Sequence, residues 1–441
     1  MAAETATLRS GAPVRVRDAR ELALRVLEAA LGPQRLPAEE TFQRLASRTR
    51  LDARDRAFAR RLYATVFRRL GEIDRLIERT CEHPPKRTVR NLLRLGIAQL
   101  VHLGTPPHAA VGETVGLTRR LVPAYAGFVN AVLRRIARER PRPLEGEEAG
   151  RINAPSWLFA AWSRAWGEDA AVRIAAMHLR EPPLDLRPLA DPEAWAQRLG
   201  GALLPTGVVR LPGTGPVEEL PGYAEGAWIV QDVAAGLPAL LLDPRPGERV
   251  LDLCAAPGGK TVQLAAAGAV VSAVDVSPGR LARLRANLER TGLVERVEVV
   301  EADVRSFRPG SPAPRVLLDA PCTATGTIRR HPDIQHTKRP EDVGRMAALQ
   351  AELLAAAAEM VAPGGVLVYA VCSLHPAEGE ERVAALLEAR SDFASDPVRP
   401  EELRGLPARI DERGSVRIFP FHLEEKGGMD GFFTARLRRR A

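Results

Sequence analysis

Partway along this chain the spacing of apolar residues changes, and that change limits the folds open to it. From about Val14 to Glu139 apolar residues recur every three or four positions with arginines on the opposite face, as in ARELALRVLEAAL, ARDRAFARRLYATVFRRLGEIDRLIERT, TVRNLLRLGIAQLVHL, AAVGETVGLTRRLV and GFVNAVLRRIARER. That is the period of amphipathic helices. Breaks fall at Pro84-Pro85, Pro106-Pro107 and Pro123, so the front of the chain is expected to be an all-α bundle. RPRPLEGEEAGR, from about residue 140, is polar and proline-bearing and reads as a linker. SWLFAAWSRAWG follows as an amphipathic helix whose three tryptophans are expected in a core, and the stretch to about Leu220 reads as mixed α+β.

From Glu248 strands and helices alternate. RVLDLC, VVSAVDV, VEVVEAD, VLLDAPC, GVLVYAVC and DGFFTARL read as strands, with helices at GGKTVQLAAA, PGRLARLRANLERTG, QAELLAAAAEMVA and GEERVAALLEA. Apolar, β-branched runs alternating with helices argue for a parallel, doubly wound α/β sheet. Such sheets bind ligands beyond the carboxyl ends of their strands. The expected division is an all-α domain over 1–140, a small α+β connecting segment over 150–220 and a Rossmann-like α/β domain over 221–441.

Composition narrows the function classes. A chain of 441 residues with 45% hydrophobic content can bury more than one core, and no apolar run is long enough to span a bilayer. MAAETATLRS lacks the basic and apolar regions of a secretory leader. Cys81, Cys254, Cys322 and Cys372 are too far apart for a CxxC metal clamp, so no metal is expected, and reduced thiols in a cytoplasm are the natural reading. A net charge of +8 favours a polyanionic partner. Lysine occurs only at Lys86, Lys260, Lys338 and Lys426, an arginine bias that also fits a GC-rich genome. A lysine kept against that bias, as at Lys260, suggests a point charge that is specifically wanted.

LDLCAAPGGKT is a strand, a turn of small residues and a helix start. Its glycines permit close backbone approach, and the helix start offers free N–H groups. It matches neither GxGxxG nor GxxxxGK[ST]. The next strands end in Asp275, Asp303 and Asp319, three acids at one sheet edge. An acid there can bind ribose hydroxyls, and a nucleoside site without phosphate selection suggests S-adenosylmethionine.

LDLCAAPGGKT, VDVSPGRL, LLDAPCTATGTIRRHPDI, VYAVCSLHPAEGEE and GGMDGFFTARL resemble, in this order, the successive motifs of RNA cytosine-C5 methyltransferases, and EGAWIVQDVAA ahead of them resembles that family's opening motif. PPHAAVGETVGLTRR followed by GFVNAVLRRI resembles the RNA-binding fold of the NusB antitermination factor. The combination is similar to bacterial enzymes that methylate small-subunit (16S) ribosomal RNA. LDLRPLAD stands where that family usually reads LRVN, and HPDIQH lacks the usual aromatic after HPDI. The resemblance implies that Cys254, Ala255, Ala256, Pro257, Gly258, Gly259 and Lys260 cradle the methionine part of S-adenosylmethionine, with Asp275 on the ribose and Asp303 on the adenine side. It places Asp319 between cofactor and target base, and Arg280 over the adenosine.

Cytosine C5 is too weak a nucleophile to take a methyl group unaided. A thiolate adding to C6 turns the ring into an enamine whose C5 can attack; a donor such as Asp319 must meet the charge on N3, and the C5 proton must then leave. Either Cys322 or Cys372 could supply the thiolate on general grounds. The resemblance assigns attack to Cys372 and release to Cys322, whereas DNA cytosine methyltransferases attack from a Pro-Cys dipeptide. Cys254 and Cys81 read as small packing residues. The target base must be unstacked, so single-stranded or flipped-out RNA is implied. Arg329, Arg330, Lys338 and Arg339 are candidate phosphate contacts. The expected protein is a monomeric, cytoplasmic enzyme acting on 16S ribosomal RNA and binding no membrane. The alternatives are a transfer-RNA C5 methyltransferase and a non-catalytic RNA-binding or antitermination factor.

Overall fold

The computed structural model describes residues 16–213 and 215–441; the helical start at Val14 and the leader-free reading of MAAETATLRS lie outside them. The chain forms two compact units, one of residues up to Ser156 together with His331–Lys338, the other of Trp157–Arg330 and Arg339–Ala441.

The first unit is helical: α1 Ala19–Ala30, α2 Ala38–Ala46, α3 Ala53–Arg68, α4 Leu70–Thr80, α5 Arg87–Ile97, α6 Pro107–Leu121, α7 Ala126–Glu139 and α8 Gly146–Asn153. Asp18 caps α1 by accepting from the Glu21 N–H, and Asp52 caps α3 by accepting from that of Asp55. The apolar stripes meet in one core that includes Leu22, Leu62, Phe67, Ile73, Leu92 and Leu133. The long run ending in LIERT is two helices, broken at Arg69, where φ is −114° and ψ is 23°. The expected linker is part of this unit. Within it α8 forms, Asn153 accepts from the Glu72 N–H at 3.0 Å, and Glu72 accepts from the Leu144 N–H at 2.8 Å.

His331–Lys338 also folds into this unit. Asp333 accepts from the Ala38 N–H at 2.9 Å, Gln335 donates to the Phe67 carbonyl at 3.0 Å, and the His336 ring stacks on Phe67. Burial lowers the His336 pKa to about 4, so the ring is neutral. Gln335, where the family usually has an aromatic residue, thus serves packing inside this unit.

The second unit begins at Trp157, within the helix Ser156–Trp166, and Trp162 of that helix is buried. Four short strands follow, β1 Leu184–Pro188, β2 Ala202–Leu203, β3 Val209–Leu211 and β4 Trp228–Val230, forming an antiparallel sheet of order β2-β3-β1-β4. The buried Asp185 and Arg210 form a two-pronged ion pair across β1 and β3.

The large sheet contains β5 Arg249–Leu253, β6 Val270–Asp275, β7 Val297–Glu301, β8 Ala313–Asp319, β9 Val361–Val371, β10 Phe393–Ser395, β11 Arg409–Ile410, β12 Val416–Ile418 and β13 Phe432–Arg439. Its order is β11-β12-β13-β9-β8-β5-β6-β7, with β10 also on β13. Strands β5 to β9 are mutually parallel. Alternate residues feed opposite faces. Val316 and Leu318 pack with Leu353, Leu354, Val383 and Leu386 of two helices, while Leu317 packs with Val262, Leu281, Leu284 and Leu288 of two others.

The expected all-parallel sheet is therefore mixed: β10 to β13 run antiparallel to their partners. No α-helix lies between any two of these last strands, so they return directly instead of crossing over. The order reverses between β5 and β8, which places a crevice at their carboxyl ends. Among the described residues no helix is long and apolar enough to cross a membrane.

Candidate active site

The turn after β5 is shaped by backbone geometry. Cys254 lies at φ 59° and Gly258 at φ 103°, and a Cβ on Gly258 would come within 2.9 Å of the Leu284 side chain. Glycine is required there both for conformation and for room. The helix Gly259–Ala266 then starts, with Lys260 reaching back to Asp319 at the end of β8, Nζ to Oδ2 2.7 Å, and lying 5.1 Å from the Phe432 ring centroid. Asp275, buried at the end of β6, accepts from the N–H groups of Ala256 and Ser277 and from the Arg280 guanidinium at 2.9 Å. One acid thus fixes the turn after β5 and the turn after its own strand.

Beneath the turn, Asp252 accepts the Thr261 hydroxyl at 2.6 Å, while its second oxygen has no hydrogen-bond partner. Burial raises its pKa to about 7. Burial, with Asp275 and Asp319 nearby, pushes the Cys254 thiol up to about 12, which suits a packing residue rather than a reactive one.

The two remaining thiols of this unit meet at the ends of adjacent parallel strands. Cys372 directly follows β9 and Cys322 lies three residues past β8, and their sulfurs are 3.4 Å apart. The hydrogen bond to Cys372, together with burial, pushes the Cys322 pKa well above that of an ordinary thiol. The two sulfurs are within hydrogen-bond reach, and either can be the donor. The loops are also tied by backbone: the Gly326 N–H donates to the Cys372 carbonyl at 2.9 Å, and that of Gly431 to the Gly326 carbonyl at 2.8 Å.

Asp303 stands apart from this group. It lies two residues beyond β7, is partly exposed, and is gripped by its neighbour Arg305, which also pairs with Glu352. Arg329 and Arg330 differ from expectation. Arg329 is fully buried and donates to the Gly427 carbonyl at 2.6 Å, and Arg330 binds Asp430 and Asp232 at 2.8 and 2.6 Å. Two guanidinium groups facing two buried carboxylates join three quoted motifs, so these arginines neutralise internal acids instead of presenting charge to phosphate. Arg339 is exposed at the start of the helix Pro340–Glu359, and Lys338 is half-buried.

Glu378, Thr323 and Ser373 carry much of the local hydrogen bonding; all three lie in quoted motifs, but sequence reasoning gave them no role. Their only signal was position: Thr323 and Ser373 each follow a motif cysteine.

Comparison with known proteins matches two families to the chain. Residues 239–438 match the model of the family described as 16S rRNA methyltransferase RsmB/F, and residues 17–138 match that of the NusB family. The ribosomal RNA small subunit methyltransferase B of Klebsiella pneumoniae subsp. pneumoniae is 38% identical over 408 residues, covering 88% of this chain and 91% of that protein. The crystal structure of PH0851 superposes with a TM-score of 0.75 at 25% identity, covering 96% of this chain and 99% of that one. A methyltransferase homolog protein from Pyrococcus horikoshii, 29% identical, covers 65% of this chain and 95% of its own with a TM-score of 0.55.

Proposed function

We propose, from the premise that the chain belongs to the ribosomal RNA small subunit methyltransferase B family, that it methylates C5 of one specific cytosine in 16S ribosomal RNA through a covalent bond between Cys372 and C6. The observation that carries this reading is the 3.4 Å approach of the Cys372 and Cys322 sulfurs past the ends of adjacent strands, one of which ends in the Asp319 that Lys260 holds. A binding module has no need of two apposed thiols, which weighs against a non-catalytic RNA-binding factor. The NusB-family front weighs against transfer RNA as the substrate.

The residues fit S-adenosylmethionine. The turn from Cys254 to Lys260 is built mostly of small residues, and the acids Asp275 and Asp303 suit a nucleoside carrying hydroxyl and amine donors rather than phosphate. In this reading that turn holds the methionine part, Asp275 the ribose with Arg280 over the adenosine, and Asp303 the adenine side. When bound, the cofactor supplies an electrophilic methyl on a positively charged sulfur.

The chain's own residues supply the rest. Cys372 adds as thiolate to C6 and opens the C5–C6 double bond, while the Lys260–Asp319 pair meets the negative charge that grows on N3. Once C5 carries the methyl group, its proton passes to water, the double bond reforms and the C6–S bond breaks with its electron pair returning to the Cys372 sulfur. The Cys322 thiol serves this release as proton donor to the departing sulfur. Methylating unmodified ribosomal RNA in vitro with labelled cofactor and mapping the product base by mass spectrometry tests the reading; a product other than 5-methylcytosine, or none, overturns it.

The reading includes a monomeric cytoplasmic enzyme with the three-part division 1–140, 150–220 and 221–441. Asp275→Ala is expected to weaken cofactor binding by about 1–3 kcal/mol, through loss of hydrogen bonds whose partners stay buried. Calorimetry on the folded variant measures it, and unchanged affinity removes Asp275 from the ribose role.

For the front domain, Arg48, Arg50, Arg54 and Arg56 are exposed around the start of α3. Reversing Arg50 and Arg54 to glutamate is expected to raise the RNA KM and flatten its dependence on salt, because each lost phosphate contact removes about 0.7 to 0.9 from the log–log slope. Cofactor binding should not change. Identical RNA kinetics across a salt series would take this face out of RNA binding.

A further inference from the structure

Glu378 is fully buried, and two loops and one helix supply the donors that meet its carboxylate. From the loop after β8, Thr323 donates its N–H to Oε1 at 2.9 Å and its hydroxyl to Oε2 at 2.6 Å. From the loop after β9, the Ser373 hydroxyl donates to Oε2. Gln350, on the helix Pro340–Glu359, donates to Oε1 at 3.4 Å and to the Pro321 carbonyl at 2.9 Å. Tyr369, on β9, donates its hydroxyl to the Glu378 carbonyl at 2.6 Å. Thr323 and Ser373 are the residues directly after Cys322 and Cys372. A carboxylate is costly to bury without donors, and here the donors come from both cysteine-bearing loops at once.

We propose that Glu378 is a positioning residue whose one carboxylate ties the two loops together and so sets the spacing of the Cys322 and Cys372 sulfurs for methyl transfer. The inference rests on the reading of those two thiols given above. The negative charge of Glu378 also opposes ionisation of Cys322, which keeps the proton on the releasing thiol.

The test compares Glu378→Ala, Glu378→Gln, Thr323→Val and Cys372→Ala, each in the full chain, with unmodified ribosomal RNA and labelled S-adenosylmethionine. Alanine unties the loops. Glutamine preserves the bridge, since its oxygen can face the Thr323 N–H while the two hydroxyls rotate to accept from its amide. Glu378→Ala is expected to lower kcat by about 100-fold with the RNA KM and the cofactor affinity each within about twofold of wild type, the signature of misplaced reacting groups. Glu378→Gln should recover to within about tenfold of wild type. Thr323→Val, which deletes one donor and keeps the side-chain shape, should also lower kcat alone, and should add less than its own effect when combined with Glu378→Gln.

A parallel loss of cofactor affinity, RNA KM and kcat, with no recovery by glutamine, would show a general structural role and overturn the proposal. Cys372→Ala separates the two readings. If it stays active, the thiol assignment itself fails. If it is inactive while Glu378→Ala turns over at the wild-type rate, the thiol assignment stands and the role of Glu378 falls.

Discussion

Cys372→Ala is expected to abolish methyl transfer, a loss of about 10^4-fold or more in kcat, of the size seen when a covalent nucleophile is removed. Without addition at C6 the pyrimidine never becomes an enamine, and C5 has no electron pair to offer. The neighbouring sulfur of Cys322, 3.4 Å away, is the one group that could take over. It is poorly suited to do so. Removing Cys372 relieves the hydrogen bond that raises the Cys322 pKa, but burial and the charge of Glu378 still oppose its ionisation. The variant should bind cofactor normally, because none of the hydrogen bonds made by Asp275 or Lys260 involves Cys372. The measurement is single-turnover transfer of labelled methyl to RNA, with a denaturing gel run for any protein–RNA adduct. An adduct that persists in Cys372→Ala would assign the attack to another sulfur.

How far each part of this protein was legible in its sequence follows from the length and chemistry of the part. Strands β5 to β9 are five or more residues of mostly apolar, β-branched chain, and each announces itself. The antiparallel strands β10 to β12 have two or three residues, too few to show a period, so the mixed character of the sheet was hidden. Helix α8 begins at a glycine within a proline-bearing polar stretch, and its hold on α4 comes through Asn153 and Glu72, a contact far apart in sequence.

The same reasoning applies within the site. Asp275 and Asp319 sit where strands end, which sequence position alone reveals. Arg329 and Arg330 look identical in sequence whether they face RNA or buried acids, and only the positions of Asp232 and Asp430 decide it. Glu378 lay in a quoted motif but had no role there, because hydroxyl donors such as threonine and serine are common in any sequence and only folding brings both loops to one carboxylate.

Cys322→Ala is expected to give the opposite phenotype from Cys372→Ala, although the two sulfurs nearly touch. Attack by Cys372 and methyl transfer should both proceed, since neither needs a second thiol to form or break a bond. Release differs. After transfer, C5 carries both the methyl group and its original proton, and the C6–S bond cannot break by elimination until that proton is gone. Alanine at 322 leaves no thiol beside the Cys372 sulfur to protonate it as it departs, so the enzyme should stay bonded to methylated RNA and turn over once at most. The adduct should run as a slow-migrating band on a denaturing gel and carry label from the cofactor's methyl group. Cys322→Ala combined with Cys372→Ala should show no such band, because the bond that traps the RNA is the one Cys372 makes. If Cys322→Ala instead turned over repeatedly and left no adduct, release would not depend on Cys322. If the band appeared only in Cys372→Ala, the two roles would be exchanged, with attack from the Pro-Cys dipeptide at Cys322 and release by the thiol after β9.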